Sequence, residues 1–180
     1  MIITTSRKPS QRTRSLANDL SKVFNIKTVN RGKTSASELI EKYKNFVVIE
    51  ELKGNPNKLK IYDVENNKVL SVIMAIKLQR EIISEKVEIQ NTIVYDFEDN
   101  CKEFRKLFTK FLFNNLKKPI YAINTNKKDN TEYTLLKFNK GCEGVHFLDF
   151  YNVNDSENVH IGPKLKITGH KIFDIFEEEE

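Results

Sequence analysis

Four cations fall within eight residues near the start of the chain, Arg7, Lys8, Arg12 and Arg14, and they are interleaved with Ser6, Ser10, Gln11 and Thr13. Guanidinium and ammonium groups neutralise phosphates, and hydroxyl and amide side chains bond phosphate and sugar oxygens, so this mix suits a polyanion. A solvated basic loop has the same composition, and charge alone does not choose between the two. A second basic stretch, Arg31 to Lys33, opens the tetrad Gly32, Lys33, Thr34, Ser35. The tetrad imitates the end of a phosphate-binding P-loop, which requires another glycine five positions before Gly32 so that the backbone can wrap the phosphates. That position is Lys27. Nucleotide hydrolysis is therefore not supported, and Lys33 with the amides of the following helix is left as a simpler candidate phosphate contact.

No catalytic constellation accompanies these cations. His146, His160 and His170 lack the spacing of metal ligands, and no Ser or Cys stands in a nucleophile elbow. Glu50 with Glu51, and Asp96 with Glu98 and Asp99, read as surface charge, because adjacent acids on a strand point to opposite faces. Cys101 and Cys142 stand far apart and are expected as small buried or half-buried thiols in a reducing cytoplasm. Neither a metal, a cofactor nor a small-molecule substrate is expected.

The formal charge of +5 is unevenly distributed: residues 1–33 carry eight basic groups against Asp19 alone, a net of +7, so the rest of the chain sums to −2. A length of 180 residues, 39% of them hydrophobic and including 12 Phe, suffices for a packed core. No run of 18 apolar residues occurs, and Met1 leads into Ile2 and Ile3 without a charged leader, so neither a membrane span nor a secretory signal is expected.

The elements that must position the cations follow from periodicity. Met1 to Thr5 is β-branched and reads as a buried strand. Ser10 suits a helix N-cap, with Leu16, Leu20, Val23 and Phe24 forming one apolar stripe behind it, which puts Arg12 and Arg14 in the first turn. Phe24 to Val29 reads as a strand, and Asn30 to Lys33 as a turn. Ser35 with Glu38 forms a capping box, Leu39, Ile40 and Tyr43 mark the inner side of that helix, and Phe46 to Leu52 is a buried strand. Turns at Lys53 to Lys58 and at Asn66 and Asn67 separate Leu59 to Val64 from Val69 to Ile76, giving an antiparallel meander. Lys77 to Lys86 is a short helix or a connector near the midpoint.

Glu88 to Phe97 again has strand character. Asp99 to Leu116 is the clearest helix, its Phe104, Leu107, Phe108, Phe111 and Leu112 forming a core stripe rather than a base-stacking surface. Pro119 to Asn124, Tyr133 to Phe138 and Val145 to Tyr151 are strands, with Asn126 to Asn130 as a polar hairpin turn. Val159 to Ile161 and Leu165 to Ile172 close the chain around Gly162 and Pro163, and Glu177 to Glu180 form a solvated acidic tail. Both halves thus read as an opening strand, a long helix and a run of strands, the order an internal duplication leaves.

The opening Ile2-Ile3-Thr4-Thr5-Ser6-Arg7-Lys8-Pro9-Ser10, followed by Arg12, Thr13, Arg14 and an amphipathic helix, resembles the start of the Brix domain family. His160-Ile161-Gly162-Pro163-Lys164-Leu165 is similar to that family's Ile-Gly-Pro turn before its closing strand, and Asn30, Arg31 and Gly32 fit the loop after its first helix. The two anchoring motifs lie near opposite ends, so the resemblance covers essentially the whole chain. Long charged extensions are lacking, as in the short archaeal-type members.

The resemblance implies an α/β fold of two similar halves of mixed sheet plus helices, each like the anticodon-binding domain of class IIa aminoacyl-tRNA synthetases. A single Brix domain over residues 1–176 follows, with approximate halves 1–85 and 86–176 and the acidic tail at 177–180. It also implies a non-catalytic role in ribosome biogenesis: an RNA chaperone that binds rRNA or pre-rRNA and assists its processing and subunit assembly. Ribosomal proteins or other assembly factors would be further partners. The expected RNA contacts are Arg7, Lys8, Ser10, Arg12, Arg14, Arg31 and Lys33, with Lys164 and Lys166 as weaker ones. The alternative is a protein-interaction scaffold in pre-ribosomal particles, with no direct RNA contact.

Overall fold

Strands flanked by parallel neighbours are covered on both faces and read as unbroken apolar or β-branched runs. Ile2–Thr5 (β1) is such a strand, buried at every position, with Lys27–Thr28 (β2) and Asn45–Leu52 (β3) parallel to it on either side. The computed structural model describes residues 1–85, 88–117, 120–123, 132–154 and 157–176. Within them the protein is an α/β structure, one large mixed sheet with a few helices.

Ser10 caps Gln11–Phe24 (α1) by accepting from the Thr13 amide, and Asn25 ends it in the left-handed region. Because Phe24 belongs to the helix and Asn25 to its cap, the expected strand from Phe24 shrinks to the two residues of β2. Ala36–Lys42 (α2) starts at the capping box of Ser35 and Glu38. The pleat of β1 and β3 is divided between the two helices. Ile3, Val47 and Ile49 pack with Leu16, Leu20 and Val23 of α1, whereas Ile2, Phe46 and Val48 pack with Leu39 of α2. The helices therefore lie on opposite faces.

Asn55–Asp63 (β4) and Lys68–Lys77 (β5) complete the antiparallel meander. The turn expected over Lys53 to Lys58 is only Lys53 and Gly54, both with positive φ. Pro56 sits inside β4 opposite Glu51, where the register shifts, and such an irregularity is where a strand tolerates proline. Of the connector from Lys77 to Lys86, Lys77 ends β5, Gln79–Glu81 form one 3-10 turn and Lys86 lies outside the described residues.

In the second half, only Ile93–Phe97 (β6) of the expected strand from Glu88 is formed. The expected helix Asp99 to Leu116 is divided: a 3-10 turn at Asp99–Cys101, an α-helix at Lys102–Phe111 (α3) and a 3-10 turn at Phe113–Asn115. Its Phe104, Phe108, Phe111 and Leu112 are core residues. Ile120–Ala122 (β7) and Tyr133–Lys140 (β8) do not pair with each other, because each lies parallel against β6. The Asn126 to Asn130 turn and the Glu177 to Glu180 tail lie outside the described residues. His146–Val153 (β9) is antiparallel to β8, Asn158–His160 (β10) to β9, and Lys164–Asp174 (β11) to both β9 and β5.

The sheet order is β2-β1-β3-β4-β5-β11-β9-β8-β6-β7. Read inward from either edge, the pattern is the same: a short strand parallel to its neighbour, a second parallel pairing, two antiparallel ones, and then the antiparallel joint of β5 with β11. The core crosses that joint, since Phe24 of α1 meets Phe150 of β9 edge to face at 5.6 Å. Gly162 locks the connector from the other side. Its φ is +63°, and a Cβ there would stand 2.6 Å from Ile82 Cδ1 and 3.3 Å from Gln79 Cα. The Ile-Gly-Pro turn is buried for this reason.

Candidate nucleic-acid interface

At β1 the chain changes direction across the sheet: α1 leads to β2 on one side, and α2 leads back to β3 on the other. The loops leaving β1 and β2 therefore diverge at the carboxyl ends of the strands, the crevice where open α/β sheets bind ligands. A cleft of about 520 Å³ lies there. Its floor is Ile3, Thr4 and Thr5 with Thr28 and Val29, and its walls are Arg7, Lys8 and Pro9 on one side, Arg14 and Asn18 of α1 on another, and Asn30 and Gly32 opposite. Among the described residues the lining holds three cations and no carboxylate.

The loop carrying Arg7 and Lys8 is tied down at both ends. The Ser6 amide donates to the Ile49 carbonyl at 3.0 Å. The Ser10 amide and the Thr13 hydroxyl donate to Glu51 Oε2 at 2.9 and 2.5 Å. Those bonds, Thr13's foremost, hold the Glu51 carboxyl below its ordinary pKa against the cost of its desolvation, with Arg14 adding a smaller pull. On the facing wall, the Val29 amide donates to Ile3 O and Thr4 Oγ1 to Val29 O, both at 2.8 Å. Between these anchors Arg7, Lys8 and Arg14 are exposed to solvent. Glu51 is the residue that sequence reasoning missed: it read as surface charge, and its partner is 41 positions away.

The other expected contacts are placed differently. Ser10 uses its hydroxyl on the Thr13 amide and hydroxyl. Arg12 lies outside the cleft, forked onto both carboxylate oxygens of Glu81 and donating to the Ile76 carbonyl at 3.2 Å. Arg31 Nε donates back to Thr34 O at 3.1 Å, and Lys33 is exposed beyond Gly32 and does not line the cleft. Lys164 and Lys166 stand on β11, four strand spacings or about 19 Å from β1. The amides at the start of α2 do not offer a phosphate site: Glu38 is already folded back onto the Ser35 amide at 2.7 Å. At α1 the same place faces the Glu51 carboxylate, so the cleft's positive charge comes from side chains.

Of the remaining reactive types, Cys101 is buried, but Cys142 is exposed rather than half-buried. His146 and His170, far apart in sequence, flank Phe104 at 4.6 and 4.7 Å. Burial among these rings lowers the pKa of His146. His160 stacks on Tyr151 and lies 3.0 Å from Asp149. Among the described residues no three metal-ligating side chains gather, and no helix is long and apolar enough to cross a membrane.

A mixed sheet with a basic cleft at its switch point defines a class of α/β proteins, and solved structures share the fold. Mil, an archaeal Imp4-like protein, superposes with a TM-score of 0.67 over 96% of this chain and 100% of its own, at 19% identity. A probable ribosomal biogenesis protein from Aeropyrum pernix K1 gives 0.62 over 92% and 93%, at 24% identity. No family model matches the chain. In sequence, the chain is 43% identical over 175 residues to a probable Brix domain-containing ribosomal biogenesis protein of Methanococcus maripaludis, covering 97% of this chain and 99% of the relative. The chain belongs to the Brix domain family.

Proposed function

We propose that the protein is a ribosome biogenesis factor that binds rRNA or pre-rRNA in the switch-point cleft, as a non-catalytic RNA chaperone assisting rRNA processing and subunit assembly. The observation that carries this reading is the cleft itself: Arg7, Lys8 and Arg14 converge on it with no carboxylate among the described residues of its lining. Arg31 and Lys33 extend the positive margin, and recognition is by shape and phosphate position. The name of the Methanococcus maripaludis relative supports the ribosomal assignment. The reading includes a cytoplasmic setting, with ribosomal proteins or assembly factors as further partners. It also takes residues 1–176 as one Brix domain of two halves, 1–85 and 86–176, each akin to a class IIa anticodon-binding domain. The mirrored strand order supports the duplication.

Filter binding of rRNA transcripts across a salt series tests it. With Arg7, Lys8 and Arg14 all changed to Ala, the slope of log affinity against log salt should flatten by about 2, since each phosphate contact on an irregular strand contributes about 0.7. An unchanged slope removes the cleft from the interface. Failure of the wild-type protein to bind rRNA at low salt, with stoichiometric co-purification of another protein, selects the scaffold instead.

A further inference from the structure

The mirrored strand order gives the cleft at β1 a counterpart at β6. The Val29 amide donates to Ile3 O at 2.8 Å, and the Ile123 amide to Tyr95 O at 2.9 Å; the Ser6 amide donates to Ile49 O at 3.0 Å, and the Glu98 amide to Phe138 O at 3.1 Å. Ile3 therefore corresponds to Tyr95. In the helices that follow, Arg14 is the fourth residue after the cap Ser10 and Arg105 the fourth after Cys101, so Arg105 and Thr109 stand where Arg14 and Asn18 line the first cleft.

A groove of about 500 Å³ lies there, lined by Tyr95 of β6, by Arg105, Lys106, Thr109 and Lys110 of α3, and by Asn114. Arg105, Lys106 and Lys110 are exposed. Among the described residues none of the three meets a carboxylate, and Lys110 lies over the Phe111 ring, which leaves its charge in place. The nearby acids are turned elsewhere: Asp99 lies 3.8 Å from Lys102, Glu103 lies 3.3 Å from His170, Glu98 accepts from the Lys140 amide, and Asp96 alternates with Tyr95 onto the opposite face. Residues 124–131, between β7 and β8, carry Lys127 and Lys128 against Asp129. The run Glu177 to Glu180 follows the far end of β11. Asp174 lies nine residues past Leu165, which is level with Phe97, and Tyr95 is two residues to the other side. That is about 33 Å along the strands, whereas the six residues from Asp174 to Glu180 span at most about 21 Å. The groove keeps a net positive charge.

We infer that this groove is a second RNA-contacting site, in which Arg105, Lys106 and Lys110 hold phosphates of a single strand that also enters the cleft at β1. The inference rests on the RNA reading above for its choice of polyanion. Guanidinium and ammonium groups beside the Thr109 hydroxyl and the Asn114 amide repeat the mixture of phosphate and sugar contacts offered by the first cleft. Because α1 and α3 both pack on the main core, the two sites open on the same side of the sheet. They are seven strand positions apart, about 33 Å across the sheet. About ten stacked nucleotides, roughly 3.4 Å each, cover that span. In the first half the cations stand mainly on the loop, and in the second on the helix.

The test uses the full chain and a labelled 30-nucleotide single-stranded rRNA transcript. Arg105→Ala, Lys106→Ala and Lys110→Ala together, at exposed helix positions where alanine preserves folding, should flatten the slope of log affinity against log salt by about 2 with the first cleft intact. Acylation footprinting of the wild-type protein supplies a readout that needs no variant: bound RNA should protect Lys106 and Lys110 and leave Lys53, exposed at the turn between β3 and β4, as reactive as before. An unchanged slope, or equal reactivity of Lys106 and Lys110 with and without RNA, overturns the proposal, even where the Arg7, Lys8 and Arg14 variant still loses rRNA affinity. Equal protection of Lys53 overturns it too, since charge without a site would then account for binding. So does an α3 variant that keeps its salt slope and loses a co-purifying protein. Failure of the wild-type protein to bind any rRNA transcript removes the RNA reading itself, and this inference with it.

Discussion

The loops that leave β1 and β6 occupy equivalent places in the mirrored strand order, yet they differ in chemistry. The first reads Ser6, Arg7, Lys8, Pro9, Ser10 and the second Glu98, Asp99, Asn100, Cys101. In the first, the cations face a cleft, and the Glu51 carboxylate is committed to anchoring the helix start. In the second, the acids are used locally: Glu98 accepts from the Lys140 amide at 3.0 Å, and Asp99 lies 3.8 Å from Lys102. The helices that follow are held differently too. α1 is capped at both ends, whereas α3 has no side-chain cap and is fixed by rings, with Phe104 stacked on Phe138 and Phe108 in the same cluster. A single frame thus supports one element defined by hydrogen bonds beside a basic cleft and another defined by aromatic burial. Charge at the loop, and not the strand order, separates the two.

The comparison breaks most visibly at the aromatic side. Phe108→Ala should cost about 4 kcal/mol in chemical denaturation, and a loss below about 1.5 would mean that α3 does not depend on its rings. Gly162→Ala, packed on the connector after β5, should cost about 2 kcal/mol, because a non-glycine residue with positive φ is strained and its Cβ meets that connector. A near-neutral result would show that the connector can yield.

Smaller effects sharpen the basic side. Arg12→Ala should lower stability by less than about 1 kcal/mol, since its pair with Glu81 is about one-third exposed. It should leave the salt slope of RNA binding unchanged, which separates Arg12 from Arg7, Lys8 and Arg14. Glu51→Gln should matter only in one pH range. The folded carboxyl lies below its ordinary value of 4.5, so its stabilisation is full above that pH and lost as pH falls through the depressed folded value. Melts of wild type and variant should therefore differ near neutrality and converge in acid; a constant difference would mean that Glu51 acts by shape rather than charge.

Signals confined to a few residues were legible without the structure. Ser10 and Ser35 as caps, Gly32 as a turn, the apolar stripe of α1 and the meander of β4 and β5 each follow from neighbours within one or two turns of chain. What escaped depends on pairing across long separations. Arg12 reads as a free cation until Glu81, 69 positions on, is brought beside it, and β7 and β8 read as a hairpin because nothing local shows that β6 lies between them. The two faces of the sheet are invisible for the same reason: alternation divides Ile2 from Ile3, but only the crossing of α1 and α2 to opposite sides decides which faces the main core.

One consequence of the strand order concerns the company this protein can keep in a crowded cell. Any open sheet has two borders with unpaired amides and carbonyls, and long apolar borders recruit strands from other molecules. Here the longest strands, β5 and β11, are sealed against each other in the middle, and among the described residues the borders are β2, two exposed residues beginning with a lysine, and β7 and β10, three residues each. Such borders give a foreign strand almost nothing to zip onto, so a sheet this wide can stay unaggregated at high concentration.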